Sequence, residues 1–303
     1  MVMRILSFTF LAAFFILSAQ ASCSHGTTLL RREVNDGKVK TSAFGYDDET
    51  GPLVWAGMDP NNTACHAGHA QSPIVLNAST PSAPPVAVTF HSAHEVELEN
   101  LGSTLEVVGA NGTTNFRGRD YHLKQFHFHT PSEHRLNGEY YPLEMHMVHE
   151  STTTSATATS ATSSSHRGLK ALHARDAHTE SSFLVLAVLF ELSENNTTSG
   201  FLSGITESLH RVKEPGSITQ IEHLDLSDLA TAIQTKPKYH YVGSLTTPPC
   251  SEGINFVVLK EPLELDVKTY NAMKKIMKFN ARYTQNALGR DNLLEMAAAQ
   301  FAG

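Results

Sequence analysis

Gln125-Phe126-His127-Phe128-His129-Thr130-Pro131-Ser132-Glu133-His134, answered by Glu144-Met145-His146-Met147-Val148-His149, decides how this chain is read. Side chains alternate along a β-strand, so His127 and His129 share one face while Phe126 and Phe128 take the other. Met145 and Met147 flank His146 in the same way, and His146 shares its face with Glu144 and Val148. The loop between the segments holds Asn137-Gly138, a turn dipeptide, as expected of antiparallel neighbours. Two imidazoles on one strand and a third on the next make a three-nitrogen pocket. Three protein ligands with an open fourth position mark a catalytic rather than a structural zinc. Neutral imidazoles leave the ion its double charge, which brings the pKa of bound water to about 7. The competing reading is a structural histidine cluster, and spacing by itself leaves both standing.

Working outward, the flanking sequence supplies short segments of strand character. They begin at Gln71 to Leu76 and continue as Val86 to Phe90, Val96 to Glu99, Thr104 to Val108 and Thr113 to Phe116. Gly, Asn or His breaks separate them, and Asn111-Gly112 is a second turn signal. Tyr121 to His129 and Leu143 to His149 are the histidine strands themselves. Phe183 to Glu191 is nearly continuous apolar sequence, which fits a strand buried on both faces. Leu202, Ile205, Leu209 and Val212 recur at helical spacing, which predicts a helix over Gly200 to Val212. Lys238 to Leu245 and Ile254 to Leu259 read as strands, and Lys268 to Phe279 as a short amphipathic helix. No break in composition divides the body. The expectation is one mainly β domain with peripheral helices, over residues 41–295, with 296–303 as a tail.

Composition limits the classes of function. The net charge over 303 residues is −7, and removing Arg4, the sole charge before Ser22, leaves −8. No clustered basic face is visible, so nucleic acid is not an expected partner. Arg4, an apolar run from Ile5 to Leu17 and Ala19-Gln20-Ala21 have the order of a signal peptide over 1–21. The run is short of the roughly 20 residues that span a bilayer, and no second long apolar run occurs. Residues 22–40 are polar and mixed in charge, with Arg31-Arg32 a weak processing hint, and read as a flexible leader. Residues from about 151 to 180 are rich in Ser, Thr and Ala with scattered histidines (His166, His173, His178), a composition unable to build a core. A secreted chain, free or held at the cell surface, is expected. Five Asn-x-Ser/Thr sequons, at Asn61, Asn77, Asn111, Asn195 and Asn196, would be glycan acceptors on that route. Of three cysteines, Cys65 and Cys250 can pair in an oxidising compartment, which leaves Cys23 over.

Beyond these readings, the sequence resembles the α-class carbonic anhydrases. The resemblance begins at Phe44-Gly45-Tyr46, Gly51-Pro52 and Trp55, and continues through Gln71-Ser72-Pro73-Ile74 and the three histidines. It runs on to Gly243-Ser244-Leu245-Thr246-Thr247-Pro248-Pro249-Cys250, then Asn280-Ala281-Arg282 and Arg290. It implies a large twisted, mostly antiparallel sheet around a central zinc held by His127, His129 and His146. It implies reversible hydration of CO2 to bicarbonate and a proton by hydroxide on that zinc. Thr246 would accept a hydrogen bond from the hydroxide and donate its own to Glu133. Gln125 and Glu144 would fix the imidazole tautomers. Val148, Val185, Leu245 and Phe256 would form the apolar wall for CO2, with Thr247 and Tyr46 on the polar side. Cys65 and Cys250 match positions bridged in many exported members.

One position departs from the pattern. Many fast members carry a histidine at the cavity mouth, where this chain has Ser103 after Gly102. A serine hydroxyl does not titrate near neutral pH, whereas imidazole does. His122 is near in sequence, but simple alternation puts it on the face opposite the ligands. The rival expectation from another class is an inactive, anhydrase-like extracellular binding module. Oligomeric state is not legible in the sequence.

Overall fold

The computed structural model describes residues 34–151 and 181–301. The expected signal peptide, Cys23, Arg31-Arg32 and the Ser/Thr insertion beyond Ser151, with His166, His173 and His178, lie outside the described residues. The strands are β1 (Val75–Leu76), β2 (Val86–Phe90), β3 (Ala93–Asn100), β4 (Leu105–Val108), β5 (Gly112–Phe116), β6 (Arg119–His129) and β7 (Arg135–Leu136). They continue as β8 (Leu143–Glu150), β9 (Phe183–Leu192), β10 (Ile218–Leu224), β11 (Lys238–Ser244), β12 (Glu252–Leu259) and β13 (Leu263–Leu265). Six α-helices accompany them among the described residues: α1 (Trp55–Met58), α2 (Ala64–Ala67), α3 (Phe201–Ser208), α4 (Ser227–Thr235), α5 (Val267–Met277) and α6 (Leu293–Phe301).

Eleven strands form one sheet in the order β10-β3-β4-β6-β8-β9-β12-β11, with β5 joined to β6, β2 to β5 and β13 to β9. Only β12 and β13 run parallel to their partner β9; the other ladders of this sheet are antiparallel. The architecture is mainly β, in a single domain, as the sequence indicated. Alternation sorts the central strands into two apolar layers. Phe126, Phe128, Met145, Met147, Leu186 and Val188 pack on one face, with α3 and α5 covering them. Val148, Val185, Ala187, Leu245, Ile254 and Phe256 pack on the other.

The structure corrects several expectations. The leader ends earlier than residue 40: Lys38 bridges to Ser217 and Val39 is buried with its N–H on the Gly216 carbonyl. An apolar valine and a free pair of backbone groups suffice to dock this end. Asn137-Gly138 is a tight turn, with φ of 51° and 94° at its two residues. Asn111-Gly112 is not: the positive φ of that connection belongs to Gly109, at 90°. Gly112 instead faces Phe90 across the ladder, where a Cβ would stand 2.3 Å from the ring. Of the segment from Gln71, only Val75–Leu76 pairs as a strand. The expected tail is helical as far as Phe301, as part of α6, and β10, β13 and α4 were not expected at all.

Candidate metal centre and cavity

Register across the sheet builds the site. His127 lies opposite His146, and His146 opposite Ala187, so the imidazoles of β6 and β8 meet beside a small residue. One step along, Gln125, Val148, Val185 and Phe256 form a row across four strands. On the other side of the histidine row, His129 lies opposite Glu144. The ring centroids of the three histidines are 5.1, 5.5 and 4.6 Å apart. One nitrogen from each ring falls within 4.8 Å of the other two, and all three residues are buried.

The outer nitrogen of each ring is held by an oxygen acceptor. Nδ1 of His127 is 2.8 Å from Gln125 Oε1, and Nδ1 of His129 is 2.8 Å from the Asn280 carbonyl. Nε2 of His146 is 2.7 Å from Glu144 Oε1. An oxygen that only accepts places the N–H on the outer nitrogen, so each inner nitrogen carries a lone pair. Three converging lone pairs, each backed by an outer acceptor, suit a divalent metal. Burial in the company of His146 lowers the pKa of His129 to about 3, which keeps that ring neutral.

Glu144 is the structural hub. Its Oε1 also accepts from His134 Nδ1 at 2.6 Å, and its Oε2 takes the backbone N–H groups of Glu133 and His134, each at 2.8 Å. Burial alone would raise its pKa, but His134 and His146, through charge and their side-chain hydrogen bonds, hold it well below the ordinary carboxylate range. His134, Glu144 and His146 form a second cluster of metal-type donors, but it shares Glu144 and His146 with the first and is tied up by hydrogen bonds. His134 Nε2 goes on to Tyr241 Oη at 2.6 Å, and Tyr241 donates to Ser72 Oγ at 2.9 Å.

Glu133 accepts the Arg282 backbone N–H at 2.9 Å. Burial pushes its pKa up to about 7, opposed by His146, the Thr246 hydroxyl and that backbone bond. The Thr246 hydroxyl is thus close enough to favour the carboxylate. Glu133 Oε2 nevertheless has no hydrogen-bond partner of ordinary geometry among the described residues. Tyr46 packs edge-on to Trp55 and Phe44, and burial, then the Glu133 charge, raises its pKa well above the ordinary value. Thr247 is buried, and Leu245 joins the same apolar layer as Val148, Val185 and Phe256. Phe256 sits 5.8 Å from the His146 ring.

Ser103 is buried at the β3–β4 hairpin, where its hydroxyl and that of Ser42 stand 2.7 Å apart. His122 needs a correction. The β6–β8 register shifts between Leu123 and Gln125, a bulge at Lys124. Leu123 therefore packs with Phe126 and Phe128, and His122 turns to the ligand face after all. It pairs with Glu150, four residues beyond His146, which is roughly 13 Å at about 3.3 Å per residue. Distance, not parity, separates it from the centre.

Sequence reasoning assigned no role to His134, Tyr241, Ser72 or Asn280. His134 and Ser72 stand within the motifs named above, whereas Tyr241 falls only inside the strand expected from Lys238 to Leu245. The Asn280 contribution to His129 is a backbone carbonyl, which no residue type encodes. Cys65 and Cys250 form a disulfide with an S–S distance of 2.07 Å.

Comparison with known proteins places the chain beside the carbonic anhydrases. The family model for eukaryotic-type carbonic anhydrases matches residues 50–293. A carbonic anhydrase of Neisseria gonorrhoeae is 30% identical over 220 residues, 72% of this chain and 73% of that protein. Alpha carbonic anhydrase 4 of Arabidopsis thaliana is 28% identical over 298 residues, 93% of each chain. The solved fungal alpha carbonic anhydrase from Aspergillus oryzae superposes with a TM-score of 0.73 at 38% identity, covering 84% of this chain and 98% of its own.

Proposed function

Since the chain belongs to the eukaryotic-type carbonic anhydrases, we propose that it catalyses the reversible hydration of CO2 to bicarbonate and a proton with zinc as its metal. The observation that carries this is the set of three buried imidazoles whose inner nitrogens converge within 4.8 Å. His127, His129 and His146 would hold the ion, which supplies hydroxide near neutral pH by lowering the pKa of water to about 7. Gln125, Asn280 and Glu144 lock the ring orientations from outside.

Val148, Val185, Leu245 and Phe256 form the apolar layer beside the histidines. A nonpolar CO2 displaces water there at little cost, within reach of the nucleophile. Thr246 would accept a hydrogen bond from the hydroxide that such a metal supplies and donate its own hydroxyl hydrogen to Glu133, which would orient a lone pair toward the wall. Arg282 steadies Glu133 through its backbone N–H. Thr247 and Tyr46 belong to the polar side. The released proton leaves by water and buffer, because Ser103 offers no titrating group. Secretion is part of the same reading and is supported by the disulfide; no helix among the described residues is long and apolar enough to cross a membrane.

The experiment pairs zinc content with CO2 hydration in the wild type and in His129→Ala. One zinc per chain with hydration is expected, and loss of both in the variant. Stoichiometric zinc without hydration would move the protein to the rival reading, an anhydrase-like binding module.

A further inference from the structure

Away from the centre, a second histidine pair occupies the end of the sheet. β10 terminates the strand order, and its register with β3 sets His94 directly opposite His223. Both side chains are exposed, and their rings lie 5.0 Å apart with a 38° tilt. Residues directly opposite across an antiparallel ladder have Cβ atoms about 4.5–5.5 Å apart. That spacing lets two imidazoles reach one ion at the roughly 2.0–2.1 Å of a metal–nitrogen bond.

The protonation pattern is set for it. His94 Nδ1 lies 3.1 Å from the Glu222 carbonyl oxygen, which can only accept. The hydrogen is therefore on Nδ1, so Nε2 is the nitrogen left to offer a lone pair to an ion, the arrangement of a metal-binding imidazole backed by a carbonyl. The surroundings favour a cation. The groove between α3 and β10 is lined by Glu207, Glu222 and Asp225 against the single cation Arg211, with His223 among them. None of these residues takes part in the three-histidine centre.

We propose that His94 and His223 form a surface site for a divalent transition metal of the copper or zinc class, which cross-links β3 to the edge strand β10. Water completes the coordination, and the acidic groove raises the local concentration of cations. Two imidazole nitrogens with oxygen donors suit a tetragonal Cu2+, and copper heads the affinity order among the first-row divalent ions.

The test titrates zinc-loaded protein with Cu2+ and reads electron paramagnetic resonance and the melting temperature. The expected result is a bound Cu2+ coupled to two nitrogens, with a rise in Tm. His94→Asn and His223→Asn should each abolish the two-nitrogen signal and weaken that copper at least about tenfold, the loss that removal of even an outer partner can cause. Circular dichroism and zinc content of both variants should match the wild type, which establishes that they are folded. Copper bound to the double variant with the same affinity and the same coupling overturns the proposal.

Discussion

His149 lies three residues beyond His146 on the opposite face of β8, fully buried, with Nε2 3.0 Å from Thr114 Oγ1 and Nδ1 2.9 Å from the Met147 carbonyl. Burial lowers its pKa from 6.5 to about 4. Between those values the unfolded chain binds a proton that the folded chain refuses. Its contribution is therefore complete above pH 6.5 and is lost as the pH falls toward 4, about 3 kcal/mol as an upper bound. Denaturant midpoints of zinc-loaded protein from pH 7 to 4 should fall more steeply in the wild type than in His149→Leu; equal slopes would rule this out. Ser103 gives a second residue-scale expectation. With a buried serine where an imidazole would carry the proton out, turnover should rise with added imidazole buffer. Equal rates at low and high buffer would count against a missing relay. The three histidines were legible because alternation puts His127 and His129 on one face and His146 on a face with Glu144, whereas the roles of Gln125 and Glu144 followed from the resemblance to the α-class carbonic anhydrases. The His122 side was misjudged because a bulge breaks that alternation without leaving a mark in residue type.

Among the elements, those with a buried and periodic pattern were foreseen, and those at the edge were not. β9 is apolar apart from Glu191 and buried at seven consecutive positions from Leu184 to Phe190, so its run of sequence stands out. β10 buries only Ile221 and Leu224 and lacks a period of two. α4 buries only Leu229 and Ile233, four apart, too few to define a helical face. Gly204 shows the contact that seats α3. A Cβ there would lie 2.9 Å from the His223 carbonyl oxygen, so only glycine lets helix and strand approach. Alanine is favoured over glycine inside a helix by about 1 kcal/mol. Overpacking costs about 1–3 kcal/mol, which is the larger effect. Gly204→Ala should lower stability by about 1 kcal/mol in urea unfolding; a more stable variant would mean that α3 can shift outward freely.

At the scale of the molecule, the Cys65–Cys250 disulfide closes a span of 185 residues and encloses most of the sheet. Chain-entropy reasoning gives such a loop about 5 kcal/mol. It also clamps the site: Cys250 N–H binds the Thr247 carbonyl at 2.8 Å, and the Arg282 guanidinium reaches the Cys65 carbonyl at 3.2 Å. Reduced protein, and Cys250→Ser, should unfold at markedly lower denaturant with zinc bound; unchanged midpoints would show that packing alone holds this end. The sequence by itself determined the sheet-dominated class and the face shared by the histidines, because alternation and composition are local properties; the apolar wall was implied only by the resemblance to the α-class carbonic anhydrases. It determined the absence of an imidazole at Ser103 for the same reason. Tertiary structure alone decided that the Asn280 carbonyl backs His129, that His134, Tyr241 and Ser72 extend the network behind Glu144, and that His94 meets His223. Those contacts depend on register and on backbone groups brought together across as many as 169 residues, and no local pattern records either.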